Sequence, residues 1–294
     1  MIFGGDFQQI LPVIPHGSRA DIVNASLCKS YLWNNMDILK LRDNMRLEQI
    51  EDNHQFLQWL LDVGHGRNCD QDGYIEIPRH MVTYNEDHLI LRTYGDIREV
   101  PEALLPKYFL DRTILAPRNT DVQQTNAKIL DSMPGEEIIY NSVDTIERYG
   151  ASENHHDDIP QDFLHSLEPP SLPLAHLNLK IGCPIMLLHN LDPSKGLCNG
   201  TQMILLRAYC HALEVVIIGG DHHGEKAFIP RISLKPTEKH YPFILKQRQF
   251  PIRLCFAMTI NKAQGQSLKH VGLHLLSPVF CHRQLYVALS RATS

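Results

Sequence analysis

Residues 239–294 contain no acidic side chain, although the 294-residue chain has 33 Asp and Glu. Eight Lys and Arg fall in this C-terminal stretch, so it is basic while residues 1–238 are acidic on balance. Such asymmetry is typical of a segment that faces a polyanion, including nucleic acid. A solvated basic surface without a partner is the alternative that the charges alone leave open.

The sequence also lacks the signatures of several other protein classes. No apolar run reaches membrane-spanning length, and no signal-peptide pattern opens the chain. The seven Cys are scattered and form no C-x-x-C pair, so neither a disulfide framework nor a zinc ribbon is expected, and a reducing compartment is the default. The His pairs at 155–156 and 222–223 lie in polar segments, where solvated side chains are commoner than metal ligands, and no metal site is predicted.

A phosphate-binding loop of the form G-x-x-x-x-G-K-[ST] is absent, and no apolar strand ends in Asp-Glu to hold magnesium. Without that loop the chain offers no backbone nest and no loop Lys for the β- and γ-phosphates of a nucleotide. The length nevertheless suffices for two or three domains, and a hydrophobic content of 43% is ordinary for a globular protein.

The most informative stretch that is present joins an apolar run, residues 252–260, to a polar turn. The run has the length and composition of a strand buried on both faces. Asn261, Lys262, Gln264 and Gly265 follow at once. Ligands of open α/β sheets bind at the carboxyl ends of strands, where Lys can pair with a phosphate and Gly lets a backbone N–H approach an anion. The sequence therefore predicts an anion-binding turn.

Two further patterns carry a family resemblance. CFAMTINKAQGQSLKHVGLHL, followed by QLYVALSRATS, resembles the last two motifs of the Pif-type (petite integration frequency) DNA helicases of superfamily one, subgroup B. GGDFQQILPV, LRDNMRL and LAPRN resemble earlier motifs of the same family, in the same order. The resemblance is greatest to the Helitron-transposon-like members. It covers essentially the whole chain but only the C-terminal part of the family, without its Walker A and Walker B motifs.

The resemblance implies an α/β fold built of RecA-like helicase domains, each a parallel sheet with flanking helices, and an inserted small β-barrel like that of Src-homology-three domains. The implied division is a tail of the first RecA-like domain (1–45), a helical connector (46–111), the second RecA-like domain in two segments (112–171 and 239–294), and the inserted barrel (172–238).

Nucleotide chemistry is implied for four residues. Gln9 would sense the γ-phosphate from the end of a strand, and Arg46 and Arg291 would reach it across a cleft between domains, with Gly265 beside the nucleotide. Arg suits this role because it stays charged and binds phosphate oxygens in a fork. Taken alone, an Arg after a strand is usually a surface ion-pair partner. The implied cofactors are ATP and Mg²⁺, with the magnesium ligands expected upstream of this chain.

Single-stranded DNA contacts are implied for Asn119, Thr259, Asn261, Lys262 and Gln264. The implied partners are single-stranded DNA, duplex junctions and a missing upstream RecA-like half, with no membrane partner. The implied location is the nucleus, with the mitochondrion as the alternative.

Four positions depart from the family pattern. Arg118 replaces a Thr that contacts DNA, His189 and Gln202 replace Arg, and Arg283 replaces Gly. The first three remove groups that the family presents to DNA, whereas Arg283 adds a charge beside Arg291.

Two functions follow as alternatives. One is an ATP-dependent DNA helicase with five-prime to three-prime translocation, acting in DNA repair, recombination, telomere maintenance or Helitron transposition. The other is a truncated, catalytically inactive relic that binds single-stranded DNA. The missing phosphate-binding loop predicts little or no ATP hydrolysis by this chain alone. A role of the barrel as a peptide adaptor has little support, because its strands lack a cluster of aromatic side chains.

Hydrophobic patterning and turn residues predict the secondary structure. The opening residues read as a buried strand without a preceding cap, so the sequence is expected to begin inside a domain. Helices are expected at 24–33, 53–63, 94–105, 119–130, 162–167 and 281–291. Strands are expected at 1–3, 38–41, 112–117, 177–181, 184–188, 202–209, 212–218, 225–230, 252–260 and 271–275. The family resemblance implies a further strand at 134–144.

Overall fold

A computed structural model gives the arrangement of most of the chain. It describes residues 2–7, 9–11, 14, 17–39, 51–148, 159–167, 169–237, 241–266, 268–281 and 283–292, with the backbone alone at 51–54 and 148. The α-helices are α1 (Arg19–Asn24), α2 (Glu51–His65), α3 (Glu86–Tyr94), α4 (Leu105–Leu110), α5 (Asn119–Ser132), α6 (Gln161–Ser166) and α7 (Gln284–Leu289). The strands are β1 (Arg112–Ala116), β2 (Ile138–Asn141), β3 (Val143–Arg148), β4 (His176–Leu179), β5 (Pro184–Leu187), β6 (Gln202–Ala208), β7 (Ala212–Ile217), β8 (Lys226–Pro230), β9 (Ile232–Leu234), β10 (Phe243–Gln249), β11 (Ile252–Leu254), β12 (Ala257–Thr259) and β13 (His270–Leu273).

A parallel sheet of three strands, in the order β12-β1-β13, carries the polar turn. Ala116 of β1 lies opposite Thr259 of β12, and Ile114 lies opposite Gly272 of β13. Helix α5 packs against β12 and β1, and α3 packs against β13 and β1. Because both faces of β1 are covered, Ile114 is fully buried, as is usual for a parallel sheet.

The strands predicted between residues 177 and 230 are present within a few residues of their expected bounds. Four of them, β5 to β8, form most of an antiparallel sheet in the order β11-β5-β6-β7-β8, whereas β4 pairs with β2. The GGDHHG segment makes the hairpin turn between β7 and β8, with φ of +72° at Gly220 and +86° at Gly224. This sheet stands where a small barrel was expected. Its edge strand β11 lies beyond residue 238, so strand pairing crosses the predicted domain boundary, which remains a prediction.

The run at 252–260 is not one strand, which corrects the sequence prediction. Strand β11 ends at Leu254 and β12 begins at Ala257. The first pairs antiparallel with β5, and the second pairs parallel with β1. The run therefore crosses from the five-stranded sheet to the parallel sheet. Its predicted burial is confirmed, since Phe256 and Ile260 are fully buried.

Asn126 of α5 holds the chain at this crossing. Its Nδ2 donates to the carbonyls of Leu254 (3.3 Å) and Ala257 (3.1 Å), and its Oδ1 accepts from the Ala257 N–H (2.7 Å). The carbonyl of Phe256 accepts from the N–H of Ile114 (3.1 Å). The buried backbone groups at the crossing between β11 and β12 are thus hydrogen-bonded although they lie between two sheets, as buried polar groups usually are.

Residues 2–6 are irregular, so the predicted opening strand is wrong for the part that lies within the described residues. Ile2 is 99% exposed and Phe3 is 58% exposed. A strand needs a neighbour for its N–H and C=O groups, and none of the described strands pairs with these residues. Apolar composition alone suggested a strand here.

Two predicted helices begin and end elsewhere. In place of a helix at 24–33, α1 begins earlier because Ser18 and Asp21 form a capping box, and short 3₁₀ turns follow it. In place of a helix at 94–105, α3 is capped by Asn85 and ends at Tyr94, because Gly95 turns the chain with φ +57°. The strand predicted at 38–41 is absent at 38–39, and the rest lies outside the described residues.

The remaining predictions differ in detail. Residues 134–144 contain a strand as predicted, but it divides at Ser142 into β2 and β3, which pair antiparallel with β4 and β10 outside the parallel sheet. Helix α2 extends beyond the predicted 53–63, and α7 is shorter than the predicted 281–291. Within the described part of the chain, no helix is both long and apolar enough to span a bilayer.

Candidate nucleic-acid and nucleotide site

The polar turn begins where β12 ends. The N–H of Ile260 donates to the carbonyl of Ala116 (3.1 Å), so the turn leaves the sheet beside the carboxyl end of β1. The N–H of Lys262 donates back to the carbonyl of Thr259 (3.0 Å). Gly265 has φ +87°, a conformation that glycine adopts without strain. The turn therefore has a defined shape, anchored by the fully buried Ile260.

Gln264 joins this turn to the N-terminal part of the chain. Its Nε2 donates to Oε1 of Gln9 (2.8 Å), across 255 residues of sequence. Gln9 Nε2 also lies 3.5 Å from the Asp6 carboxylate, and Ile10 packs against the buried cluster that contains Met258. Two predicted site residues, one for nucleotide and one for DNA, are thus in direct contact.

Arg291 follows α7 and is only 2% exposed. Its guanidinium donates to the carbonyls of Val287 (Nε, 3.1 Å) and Gln266 (Nη1, 3.0 Å) and to the Ser290 hydroxyl (Nη2, 3.2 Å). In this arrangement Arg291 binds the far end of the polar turn, at Gln266, whereas a γ-phosphate contact was predicted to face a cleft between domains. Its proposed nucleotide role remains a prediction.

Gln284 positions a further predicted DNA contact. The side chain is fully buried, its Nε2 donates to Oδ1 of Asn261 (3.0 Å), and its Oε1 accepts from the N–H of Phe280 (3.1 Å). Asn261 is therefore held from α7. Gln284 was not among the predicted site residues, although a lone amide at the start of an apolar helix was a possible signal.

Asn119, Thr259 and Lys262 come together at one groove. It has a volume of about 290 Å³ and runs along α5 against β4 and the crossing at 252–260. Asn119 is the first residue of α5, and the N-cap is Arg118, whose side chain makes no capping hydrogen bond. Asn261 and Gln264 instead contact Gln284 and Gln9. The five predicted DNA contacts therefore form two groups, one lining the groove and one bonded to Gln9 and Gln284.

Lys262 is exposed on this turn but electrostatically perturbed. Partial desolvation, followed by the positive charge of Arg253, lowers the pKa of Lys262 from its usual value of 10.5. Both cations line the groove. Two like charges that repel one another gain from an anion between them, which is the chemistry expected at a phosphate contact.

The small antiparallel sheet also contacts the turn. Gln202 of β6 donates from Nε2 to Oε1 of Gln266 (3.2 Å). Because Arg291 binds the carbonyl of the same Gln266, the turn is held from β6 and α7 together. Gln202 was noted in the sequence only as a replacement for Arg. Its contact with residue 266 depends on the fold and had no sequence signal.

The C-terminal basic residues do not form one uniform face. Lys269 pairs with Asp111 (3.1 Å), and Lys246 lies 3.8 Å from Glu147. Lys262 forms no ion pair with any residue that the structure describes. The basic residues of the C-terminal stretch thus include cations paired with carboxylates, and a smaller basic area around the groove that contains Lys262 and Arg253.

The predicted cofactor site is incomplete among the described residues. Arg46 lies outside them. No group of three His, Cys, Asp or Glu in the described part of the chain is arranged to hold a metal ion, so the residues present do not fit Mg²⁺. Gln9, Gly265 and Arg291 could contact a nucleotide phosphate, but the sequence contains no loop to cradle it.

Comparison with known proteins gives consistent matches. The family model for the PIF1-like helicase matches residues 1–73, and the model for the 2B domain of DNA helicase Pif1 matches residues 162–207. The ATP-dependent DNA helicase Pif1 of Bdellovibrio bacteriovorus is 26% identical over 293 residues, which is 99% of this chain and 55% of that protein. The ATP-dependent DNA helicase PIF1 of Xenopus laevis is 30% identical over 61% of this chain and 26% of its own length. The chain thus spans about half of the first relative and a quarter of the second.

Solved structures agree with the fold. Bacteroides Pif1 bound to single-stranded DNA aligns with a TM-score of 0.61 at 22% identity, over 98% of this chain and 58% of that one. Pif1 helicase from Candida albicans aligns with a TM-score of 0.60 at 22% identity, over 99% of this chain and 61% of that one. The likeness confirms the predicted α/β fold, with a RecA-like parallel sheet and a small inserted domain.

Proposed function

We propose that this chain, which is Pif1-like in sequence and fold, is the DNA-facing part of an ATP-dependent DNA helicase. Its proposed substrate is single-stranded DNA and, at forks, duplex junctions. The Bdellovibrio relative that aligns with 99% of this chain is an ATP-dependent DNA helicase, and the similar Bacteroides structure holds single-stranded DNA. We place the phosphate-binding loop and magnesium ligands on a further RecA-like half, since the 294 residues contain no such loop.

The observation that carries the proposal is the bonding of one turn to two of the predicted nucleotide contacts, Gln9 and Arg291. Gln264 Nε2 donates to Oε1 of Gln9 (2.8 Å), and the carbonyl of Gln266 accepts from Arg291 (3.0 Å). The same turn presents Lys262 to the groove. A shift of Gln9 or Arg291 would therefore move the DNA-facing side chains directly.

The coupling follows from what these groups can exchange. Gln9 and Arg291 would contact the γ-phosphate of a bound ATP, which would supply negative charge beside the Arg291 guanidinium. Arg291 donates to the carbonyl of Gln266 in this arrangement, so contact with a phosphate would exchange that bond and release the turn. Lys262 and Asn119 would then change their contacts with DNA phosphates. Repeated cycles would give translocation, with the five-prime to three-prime direction taken from the family resemblance.

A second function is favoured by the missing phosphate-binding loop. Without it, the chain would bind single-stranded DNA and not turn over ATP, as a relic of a transposon helicase would. The cellular setting we propose for either function is DNA repair, recombination, telomere maintenance or Helitron transposition, in the nucleus or mitochondrion.

ATP hydrolysis by this chain, with and without single-stranded DNA, tests the proposal. We expect DNA binding without turnover, and turnover only when a phosphate-loop half is added. DNA-stimulated hydrolysis by the chain alone that disappears in Arg291→Ala would mean that a complete nucleotide site exists without the loop. Absence of DNA binding would reject both functions.

A further inference from the structure

The groove beside α5 is larger than phosphate contacts require. Its volume of about 290 Å³ is close to the lower end of the range for small-molecule pockets, roughly 300–1,000 Å³. Most of its wall is apolar, with Val122, Ala127 and Leu130 along one face of α5 and Met186 opposite. A charged sugar-phosphate backbone gains nothing from an apolar wall, whereas a nucleobase can pack against it.

Charge is distributed unequally along the groove. Lys262 and Arg253 both line the groove and are close enough to repel one another. Strand β12 ends beside the end of β1, from which α5 follows, so Lys262 lies near the first turn of α5. Asp131 also lines the groove, near the last turn of α5, about 18 Å away along the helix axis, and Glu137 lies with it. Phosphates are favoured at the first end and hydrogen-bond donors at the second.

We propose that this groove binds one unstacked base of single-stranded DNA, with the adjoining phosphate held by Lys262 and Arg253. The inference rests on the proposed function, because it assumes that DNA reaches the turn after β12. The base lies between α5 and Met186, and the exposed His176 ring offers a stacking surface at the rim. The groove thereby adds base contacts to a surface otherwise expected to hold only the DNA backbone.

The test fills the groove without removing a charge. Ala127→Leu adds bulk on the groove wall, and Gln124→Leu adds the same side chain on an exposed part of α5 outside the groove. Binding is measured by fluorescence of an oligonucleotide with one central 2-aminopurine. We expect a rise in fluorescence with the unaltered chain, because the bound base leaves its stacked neighbours. We expect about tenfold weaker binding without that rise in Ala127→Leu, and binding within twofold of the unaltered chain in Gln124→Leu.

A second measurement uses the unaltered chain, so it distinguishes base binding in the groove from an effect of a substitution on folding and from DNA binding in general. The unaltered chain is titrated with an oligonucleotide that carries one abasic site and with 2-aminopurine deoxyribonucleoside monophosphate. Weaker binding of the abasic oligonucleotide supports the proposal. Equal affinity for the abasic strand, or unchanged binding in Ala127→Leu, overturns it while leaving the proposed function intact. Binding of the mononucleotide alone would overturn DNA as the source of the base, and no oligonucleotide binding at all would reject the proposed function itself.

Discussion

Two apolar segments of this chain look alike in sequence and differ completely in the structure. The run at 252–260 is buried between two sheets, whereas Ile2 is 99% exposed and Phe3 58% exposed. The first segment meets strand edges on both sides, at β5 and β1. The second pairs with no strand among the described residues. Apolar residues favour burial, but a strand forms only where the edge of a neighbouring strand can pair with the backbone.

Among the described residues, the N-terminal part contacts the turn after β12 and the residues around α7 through polar and apolar groups. Gln9 is bonded to Gln264, and the Arg283 guanidinium donates to the carbonyl of Phe7. Ile10 packs against the cluster around Met258. We therefore expect changes at the crossing to affect the whole molecule, and changes near residues 2 and 3 to affect little.

The largest effect is expected for Asn126→Ala. The change leaves the carbonyls of Leu254 and Ala257 and the N–H of Ala257 without their buried partner. Unsatisfied buried groups of this kind cost about 1–3 kcal/mol each, and partial relaxation should leave a loss of about 3 kcal/mol in the free energy of unfolding. Urea denaturation measures it. Gln124→Ala, on an exposed part of the same helix, is the control, and equal losses in both variants would contradict the assigned role of Asn126.

A smaller gain is expected for Arg283→Gly. Arg283 has φ +60° and ψ +13°, a left-handed conformation that costs a non-glycine residue about 1–2 kcal/mol. The greater freedom of glycine in the unfolded chain offsets part of this gain. The net stabilisation should be about 0.5–1 kcal/mol, although the bond to Phe7 is lost. Arg283→Ala loses that bond and keeps the strained backbone, so a glycine variant less stable than the alanine variant would refute the explanation.

This result also explains a departure from the family pattern. The glycine usual at this position is favoured by the left-handed backbone before α7. Sequence comparison flagged Arg283 as an added charge, but the structure makes it a conformational cost.

The pH dependence of stability is expected to differ between two carboxylates, Glu86 in α3 and Asp21 in the N-terminal part. Partial burial acts to raise the pKa of Glu86, but hydrogen bonds from Lys128 (2.9 Å) and Thr125 (3.0 Å) outweigh it and hold the pKa below its usual 4.5. Glu86 therefore stabilises the fold above pH 4.5, and that contribution is lost as the pH falls through the lowered pKa. Glu86→Gln should cost about 0.5 kcal/mol at pH 7 and progressively less in acid.

The matched variant in the N-terminal part is Asp21→Asn. The hydrogen bond from Ser18 lowers the pKa of Asp21, but this contact is local and exposed. Denaturation between pH 7 and pH 3 should show a difference that shrinks in acid for both variants, larger for Glu86→Gln than for Asp21→Asn, because the Asp21 contact is fully exposed to solvent. A Glu86→Gln difference that grows in acid would have the wrong sign.

The smallest effect is expected for Phe3→Ser. Because the Phe3 side chain is largely exposed, the free energy of unfolding should change by less than about 0.5 kcal/mol. Thermal or urea denaturation of this variant beside Phe256→Ser compares the two apolar segments directly. A large loss in Phe3→Ser would mean that residue 3 is buried in the folded protein.

Local patterns predicted much of this fold. Strands β5 to β8 were found from hydrophobic runs between turn residues, since their bounds depend on nearby sequence. The break at 254–257 was not, because it depends on Asn126 more than 120 residues away. Helix α3 was missed, because the helix predicted at 94–105 begins where α3 ends and runs through Gly95, a residue that turns the chain.

The site shows the same limit. The polar turn after β12 was predicted from its own residues, and the involvement of Gln9 came only from the family resemblance. Gln284 and Gln266 were missed because their importance lies in their partners, Asn261 and Arg291. An amide in a sequence does not reveal whether it is exposed or holds two distant segments together.

The most direct test of the account compares single-stranded DNA binding by Lys262→Gln and Lys269→Gln across a range of salt concentrations. Lys262 lines the groove, while Lys269 lies in the same basic stretch and pairs with Asp111. We predict that Lys262→Gln weakens binding and lowers the slope of log affinity against log salt by about 0.7, the value for one phosphate contact on a single strand. Lys269→Gln should leave both unchanged. Equal weakening by the two variants would contradict a DNA site at the turn after β12 and leave only a general basic surface.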